Sequence, residues 1–305
     1  MSIPALGAAT LAAVLDAGSM EAAARALHIT PSAVSQRIRA LEDEVGRVLL
    51  VRTKPLRATP DAHAIVRFAR QVALLEHDAA VSLGHGAGPV TLPLAVNADS
   101  LSTWFLAPLA RLSARHAVVF DLHRDDQEFT AGMLEDGTVT GAVTSRAVPV
   151  GGCRVQPLGV LRYEAVAAPA FAEAWLPDVP LGGGGDGGDA DTLAAALERA
   201  PLIDFDRRDD LQTQWLAARG VDPALPPRHR VPASHDFATA TVAGLGWALL
   251  PTLQSQSALE AGRLVRLGGD PIDVPLYWQQ WNLRSALLDA VAEEIVDEGR
   301  RVLAV

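Results

Sequence analysis

Between Thr30 and Gly46 the sequence TPSAVSQRIRALEDEVG spaces two kinds of side chain at helical intervals. Val34, Ile38, Leu41 and Val45 recur at i, i+4, i+7 and i+11, which stacks them along one side of a 3.6-residue helix. Ser32, Gln36 and Arg39 fall nearly opposite. A hydroxyl, an amide and a guanidinium on one face suit the edges of bases in a DNA major groove, where Gln pairs with adenine and Arg with guanine. Thr30 is a good N-cap and Pro31 fits the first helical position, so the start of this helix is sharply specified. The bland alternative is a helical hairpin whose polar face is merely solvated.

The neighbouring residues favour the sharper reading. Ser19 caps a shorter helix in which Ala23, Ala24 and Leu27 form a close-packing face, and a tight turn joins it to the next. Together they outline a helix-turn-helix whose second helix enters DNA. Val48 to Val51 is then a short apolar run, followed by Arg52, Lys54, Pro55 and Arg57 and by Ala58-Thr59-Pro60. That pattern predicts a two-stranded wing whose turn offers three cations to phosphates. The candidate DNA-binding residues are Thr30, Ser32, Ser35, Gln36, Arg39, Arg52, Lys54 and Arg57.

Charge agrees once it is divided along the chain. The 305 residues carry 26 Lys and Arg against 36 Asp and Glu, a net −10. Residues 1–60 hold seven cations (Arg25, Arg37, Arg39, Arg47, Arg52, Lys54, Arg57) and five acids (Asp16, Glu21, Glu42, Asp43, Glu44). This leaves +2 there and −12 elsewhere, as expected when only one module meets phosphates. A charge of +2 is weak for one subunit, so the expectation is a dimer or tetramer that pools several winged modules on one site.

Other functions find little support. The chain is long enough for more than one core, and at 49% hydrophobic it can fill them. No apolar run is long enough for a bilayer, and no signal-peptide layout opens the chain. A lone cysteine, Cys153, excludes an internal disulfide and fits a reducing cytoplasm. GGGGDGGD (182–189) holds a G-x-G-x-x-G spacing but follows no convincing strand, so it reads as a surface loop. The eight His residues show no zinc spacing, no G-x-S-x-G elbow is present, and the six Trp residues look like core. The reading is a chain that is not an enzyme, with no catalytic residues, no metal and no cofactor.

The elements that must position these groups follow in order. Residues 4–17 predict an apolar helix with Leu6, Leu11, Val14 and Leu15 on its buried side. From Thr59 as cap a long helix runs to about Leu83. Its Ile65, Phe68, Val72, Leu75 and Ala79 form a seam of alternating three and four, which predicts a dimerisation helix; the alternative is a helix packed on its own module. GHGAGP (84–89) reads as a hinge. Strands at 91–97, 118–124 and 139–145 alternate with helices at 103–116 and 128–135. A second set comprises strands at 161–169, 201–205, 247–251 and 264–268 with helices at 190–199, 211–218 and 235–243. A strand at 275–281 and a helix at 283–302 close the chain. Alternation of this kind predicts two α/β lobes around mostly parallel sheet, with a small-molecule cleft at the carboxyl ends of the strands.

The stretch ALHITPSAVSQRIRALEDEVG followed by LLVRTKPLRAT resembles the winged helix-turn-helix of LysR-type transcriptional regulators. The pattern A-A-x-x-L, S-A-V-S-x-x-I and L-E-x-x-x-G is matched by Ala23, Ala24, Leu27, Ser32 to Ser35, Ile38, Leu41, Glu42 and Gly46. Met20 departs from it, where an aromatic is usual, and so does Asp61-Ala62, where a small residue then Gly is usual. Six later segments resemble the lysine/arginine-sensing, LysG/ArgP-like branch: VNADSLSTWFLAPL, DDQEFTAGMLEDGTVTGAVTS, PLGVLRYEAVAAPAF, FDRRDDLQ, SHDFATATVAGLGWALLP and DVPLYWQQWNLRSALLD. Phe129 stands where that branch commonly has His.

The resemblance implies a multidomain α+β and α/β chain: a winged helix-turn-helix at 1–58, a linker helix and hinge at 59–88, and a periplasmic-binding-protein-like effector domain at 89–305. Within that domain, lobe I is expected at about 89–162 and 266–305, and lobe II at about 163–265. It also implies operator DNA, RNA polymerase and a second copy as partners, in a cytoplasmic homodimer or homotetramer held by Ile65, Phe68, Val72 and Leu75. The implied effector is lysine or arginine, and the implied role control of amino-acid export or metabolism, commonly as an activator. The alternatives are a LysR-type regulator of another small molecule, or an α/β ligand-binding module that does not bind DNA. The residues read by themselves fit an amino acid. Ser100, Ser102 and Thr103 stand where a strand yields to a helix N-terminus, a place for a carboxylate. A cationic side chain needs acids, and Asp99, Asp125, Asp204 and Asp206 fall near predicted strand ends. Thr144, His235 and Asp236 are second-rank candidates. Any one Asp, read alone, is a cap or a solvated charge.

Overall fold

The protein is described from a computed structural model that covers residues 3–304 apart from Arg52, Pro55, 86–87, 125–129, Asp178 and 180–187. In chain order the first elements are α1 (Ala5–Ala17), α2 (Met20–Ala26), α3 (Pro31–Val45), β1 (Leu50–Val51), β2 (Arg57–Ala58) and α4 (Pro60–Ser82). Next come β3 (Val90–Val96), α5 (Ala98–Thr103), α6 (Leu106–Arg115), β4 (Val118–Arg124), α7 (Thr130–Glu135), β5 (Gly141–Thr144) and β6 (Cys153–Ala167). There follow α8 (Pro169–Trp175), α9 (Gly188–Leu197), β7 (Leu202–Asp204), α10 (Leu211–Ala217), β8 (Arg228–Arg230) and α11 (Ser234–Val242). The chain ends with β9 (Ala248–Pro251), α12 (Thr252–Glu260), β10 (Val265–Arg266), β11 (Ile272–Trp281) and α13 (Ala286–Val302). It falls into two compact units. One holds Met1–Asn97, Ala107–Pro157 and Tyr277–Asp297, the other Ala98–Leu106, Leu158–Leu276 and Glu298–Val305.

In the first unit the N-terminal helical module is built around α3. Val34, Ile38 and Leu41 are buried in one cluster with Leu11 and Val14 of α1, Ala23 and Ala24 of α2, and Ala62, Ile65, Val66 and Ala69 of α4. Thr30 caps the helix by accepting the Ala33 N–H at 3.2 Å, and Gly46 ends it at φ +70°, a left-handed turn that an unbranched Cα tolerates. Glu42 sits on the helix flank, where its carboxylate accepts the Leu49 N–H at 2.8 Å and so ties the wing to α3. β1 and β2 pair antiparallel, Leu50 opposite Ala58 and Val51 opposite Arg57. The pattern Leu41-Glu42-x-x-x-Gly46 thus supplies, in order, a core residue, a tether and a helix stop.

The rest of this unit is a sheet in the order β11-β5-β3-β4. β3 runs parallel to β4 and β5, and β11 antiparallel to β5. Trp281, Leu134, Val139, Ala142 and Leu288 form its core under α7 and α13. In the second unit β6 pairs antiparallel with both β9 and β10, and β7 runs parallel to β8. Ile203, Phe237, Leu250 and Leu264 pack in one of its cores.

Several sequence expectations are corrected. The sheets are mixed rather than mostly parallel, because the long strands β6 and β11 return antiparallel. The helix expected at 103–116 is shorter, α6, and a separate α5 precedes it; the buried rings of Trp104 and Phe105 meet edge to face at the break between them. Strand β6 begins eight residues before 161, and α8, α12 and β8 were not foreseen, each being short. Leu6 is 61% exposed, so α1 buries Leu11 and Val14 instead. Ile65 belongs to the core of its own module, with Phe68 half-buried against it, so the expected seam loses Ile65. Val72 is half-buried and Leu75 is 45% exposed, the part of the seam still open. Trp175 is the one tryptophan of the six on the surface, its ring stacked on Phe171. No helix among the described residues is long and apolar enough to cross a membrane.

Replacing Ile38 by Ala removes a 3%-exposed side chain from this shared core and is expected to destabilise the protein by about 2–5 kcal/mol. Gln36→Ala, one helical face away, is expected to change stability by no more than about 0.5 kcal/mol. Urea unfolding followed by circular dichroism distinguishes the two; equal losses would mean that the faces of α3 are wrongly assigned.

Candidate functional site

Two groups of side chains stand out, one on α3 and its wing and one in the second unit. On α3 the buried stripe fixes the rotation of the helix, and Ser32, Gln36 and Arg39 all come out exposed on the other side. Thr30 is exposed and its hydroxyl lies 2.9 Å from that of Ser32, so the cap and the first polar residue share one hydrogen bond. Ser35 is half-buried at the edge of the face. Lys54 and Arg57 are exposed on the wing, while Arg52 lies outside the described residues. Thr59 stands at the N-cap of α4, but its hydroxyl donates to the Val48 carbonyl at 2.8 Å, so it closes the wing instead of capping the helix. The arrangement is a rigid helix offering donors of both neutral and charged kind, flanked by cations.

The second group centres on Asp99. Its Oδ1 accepts the Ser234 hydroxyl at 2.6 Å and its Oδ2 accepts the Tyr163 hydroxyl at 2.7 Å. Gln254 donates to the Ser234 carbonyl at 2.9 Å, and the Ser102 and Ser234 hydroxyls lie 2.9 Å apart. Burial pushes the Asp99 carboxyl above its ordinary range, against the pull of the bonds from Ser234 and Tyr163. Asp209 accepts the backbone N–H groups of Phe205 and Leu211 at 2.8 and 3.2 Å. Burial still raises it to about 6, and the charges of Asp204 and Asp99 add to the rise. Two carboxylates in one partly dry region repel each other, and among the described residues neither has an ion-pair partner. The buried Ser100 hydroxyl and the Gln254 carbonyl oxygen have no hydrogen-bond partner among the described residues. A region with two carboxyl groups that lack an ion-pair partner among the described residues, and with spare polar groups, is suited to a cation that also hydrogen-bonds and would draw both into the ionised form.

The remaining candidates fall elsewhere. Asp204 is buried but matched by Arg228, whose Nη1 reaches both its oxygens at 2.9 and 3.0 Å. Asp206 accepts the N–H groups of Arg208 and Asp209, and the bond from Arg208 holds its carboxyl below the ordinary range. Both acids are thus occupied within the protein. Ser102 and Thr103 turn their hydroxyls back onto the Asp99 carbonyl, at 3.1 and 2.6 Å, rather than presenting them to an anion. Thr144 is buried at the end of β5 in the first unit, its hydroxyl accepting the Arg146 N–H at 3.1 Å. His235 and Asp236 are exposed on the first turn of α11, and Asp125 lies outside the described residues. Sequence reasoning quoted the segments that hold Tyr163, Asp209 and Ser234 without selecting those residues. The only local signal was Asp209 at a loop-to-helix junction. Among the described residues no group of three or more His, Cys, Asp or Glu side chains could hold a metal ion.

Comparison with known proteins meets this geometry at both ends. Residues 8–63 match the model of the bacterial regulatory helix-turn-helix proteins of the lysR family, and residues 90–300 match the LysR substrate binding domain. The chain is 41% identical over 293 residues to the lysine export transcriptional regulatory protein LysG of Corynebacterium efficiens, covering 95% of this chain and 96% of that one. The structure of ArgP from Mycobacterium tuberculosis is similar at a TM-score of 0.80 and 38% identity, covering 98% of each chain. Full-length LysG from Corynebacterium glutamicum, with its effector Arg bound, is similar at 0.73 and 36%, covering 99% of this chain and all of that one. With both halves matched in order and near full-length relatives well above 30% identity, the chain belongs to the LysR family of bacterial regulatory helix-turn-helix proteins.

Proposed function

We propose that the protein is a sequence-specific DNA-binding transcriptional regulator whose effector is a basic amino acid, arginine or lysine. The observation that carries the DNA part is the exposure of Gln36 and Arg39 on a helix whose opposite face is locked in core. In this reading residues 1–58 bind the operator, 59–88 link and pair subunits, and 89–305 bind the effector. Gln36 and Arg39 read base edges; Thr30, Ser32 and Ser35 orient the helix; Arg52, Lys54 and Arg57 meet phosphates. The open portion of the α4 seam, Val72 and Leu75, pairs two copies in a homodimer or homotetramer, and each dimer presents two reading helices to a partly palindromic site.

For the effector, the reading is supported by the bound Arg of the Corynebacterium glutamicum relative and by the surplus carboxylates of the second unit. Asp99 and Asp209 receive the cationic side chain, and Ser100 and Gln254 offer the unused polar groups. Asp204 and Asp206 serve the protein's own loops. Control of amino-acid export is the role that the name of the Corynebacterium efficiens relative lends to this proposal.

Gel-shift titration against the duplex that the wild-type protein selects from a random library tests the first part. Arg39→Ala is expected to cost about 1–3 kcal/mol and to relax preference at one base position. Lys54→Ala is expected to weaken all sequences alike and to flatten the salt dependence. If neither variant changes operator binding, the assignment of α3 is wrong.

Calorimetry with L-arginine and L-lysine tests the second part through pH. A ligand cation needs Asp209 ionised. With its pKa at about 6, affinity is expected to fall by about tenfold or more from pH 7 to pH 5, and Asp209→Asn is expected to remove the roughly tenfold part of that slope that Asp209 contributes. Stability must move the opposite way. A carboxyl whose pKa is raised by folding binds its proton more tightly in the folded state, so acidifying from pH 7 towards pH 4 stabilises the wild type relative to Asp209→Asn. Urea midpoints that shift in the reverse sense would show that Asp209 is held ionised by a partner.

A further inference from the structure

Helix α4 does more than leave the reading module; it is seated on the sheet-bearing body of its own unit by three polar ties. The Arg67 guanidinium lies 5.4 Å from the centre of the Trp281 ring and donates to the carbonyls of Gly151 at 3.4 Å and Gly152 at 3.2 Å. Arg70, one turn further on, donates to the carbonyls of Gly137 and Thr138 and pairs with Asp16 of α1 at 2.5 Å. Asp78, two turns beyond, accepts the N–H groups of Ala286 at 2.9 Å and Leu287 at 3.3 Å. Those two are the donors that the start of α13 would otherwise leave unpaired.

The body is shaped to receive the helix. Gly137 and Gly152 both take left-handed φ, +78° and +73°. A Cβ on Gly137 would stand 2.9 Å from the Arg67 Cβ and 3.1 Å from its backbone, and one on Gly152 would stand 2.7 Å from Arg67 Nη2. Exposed charge pairs by themselves contribute little. Here the Arg70 side chain is 15% exposed and satisfies two carbonyls as well as a carboxylate, and Gly137, having no Cβ, admits the backbone of α4 at Arg67. The seat also adjoins the strands that frame the effector domain. Thr138 is followed within three residues by β5, and Gly152 immediately precedes β6, the strand that carries Tyr163.

We propose that Arg67, Arg70 and Asp78 form an intrachain clamp that joins the linker helix to the effector-domain body, and that the effector's influence on DNA binding passes through this clamp. The second clause rests on the amino-acid reading above; the clamp itself does not. With the clamp shut, α4 and the body move as one lever, and Arg70 couples the lever to α1 of the reading module through Asp16. The hinge expected at 84–89 is bypassed, because Arg67, Arg70 and Asp78 hold the helix upstream of it.

Two measurements on the full-length chain test this. Amide hydrogen exchange of Asp78→Ala is expected to speed exchange at Ala286 and Leu287 by about tenfold or more, with Asp78→Asn as the milder variant should Asp78→Ala fold poorly. Gel shifts with the selected duplex, with and without L-arginine or L-lysine, then compare the wild type with Arg67→Ala plus Asp78→Ala. Basal affinity is expected to stay within about threefold, while the effector-induced change falls below about twofold. Unchanged exchange at Ala286 and Leu287 would overturn the clamp, and an intact effector response in the double variant would overturn its role in coupling. A wild type that ignores both amino acids would instead sink the amino-acid reading, leaving the exchange experiment to decide the clamp alone.

Discussion

The rest of the molecule depends on how one apolar stripe fixes the rotation of α3. Val34, Ile38 and Leu41 have no exposure to spare, and they are packed against residues from α1, α2 and α4 together. A helix held by one neighbour can roll; a helix held by three cannot, because any rotation would both expose the stripe and force Gln36 or Arg39 into close-packed core. The Glu42 carboxylate on the Leu49 N–H and the left-handed Gly46 add a translational stop at the far end. Direct reading of bases needs this rigidity, since a bidentate contact tolerates little angular error. The orientation of the polar face is therefore a consequence of core packing and not of any interaction the polar residues make themselves.

The same logic explains what was legible in the sequence. The α3 stripe, the Ser19 and Thr30 caps and Pro31 are local signals, each within one or two helical turns, and each appears where the spacing places it. The sheet was legible in its strands but not in its directions, because nothing within β6 or β11 states which neighbour it will meet. Ile65 shows the limit most plainly. Its heptad spacing fits a seam between subunits and a seam against α1 equally well, and only tertiary packing chooses the second. The Asp99 group was invisible for a different reason. Tyr163 and Ser234 lie 64 and 135 positions from Asp99 in the chain, and a hydroxyl in a strand or at a helix start carries no mark of the carboxylate it will meet.

Among the acids singled out from sequence, the structure sorts by partner rather than by position. Asp204 ends β7 and Asp206 lies two residues beyond it, and both are consumed within the protein, one by Arg228 and the other by backbone N–H groups. Among the described residues Asp99 keeps two hydroxyl donors and no cation, and Asp209, which its sequence did not mark out, has two backbone donors and no cation. Hydroxyl and amide donors partly satisfy a carboxylate's lone pairs but leave its charge, which is why burial can still lift both groups above the ordinary range. Charge left over after hydrogen bonding is what a cationic ligand can use. The proposed effector chemistry follows from that remainder, and it assigns no role to the acids whose charge is already met.

The two proposals meet in α4. Its first three turns contribute Ala62, Ile65, Val66 and Ala69 to the core that orients α3, and from those same turns Arg67 and Arg70 reach the loops at 151–152 and 137–138. One helix thus presents one side to the reading module and another to the effector-domain body. A linker that served only as a spacer would need neither the largely covered Arg70 nor a glycine, Gly137, whose missing Cβ makes room for its backbone. Because Ile65 is spent on its own module, the proposed pairing of two copies rests on the later turns, where Val72 is half-buried and Leu75 exposed. On these proposals Val72 and Leu75 lie between Arg70 and Asp78 along the rod but on another side of it, so the pairing surface and the clamp share one stretch of α4 without sharing side chains.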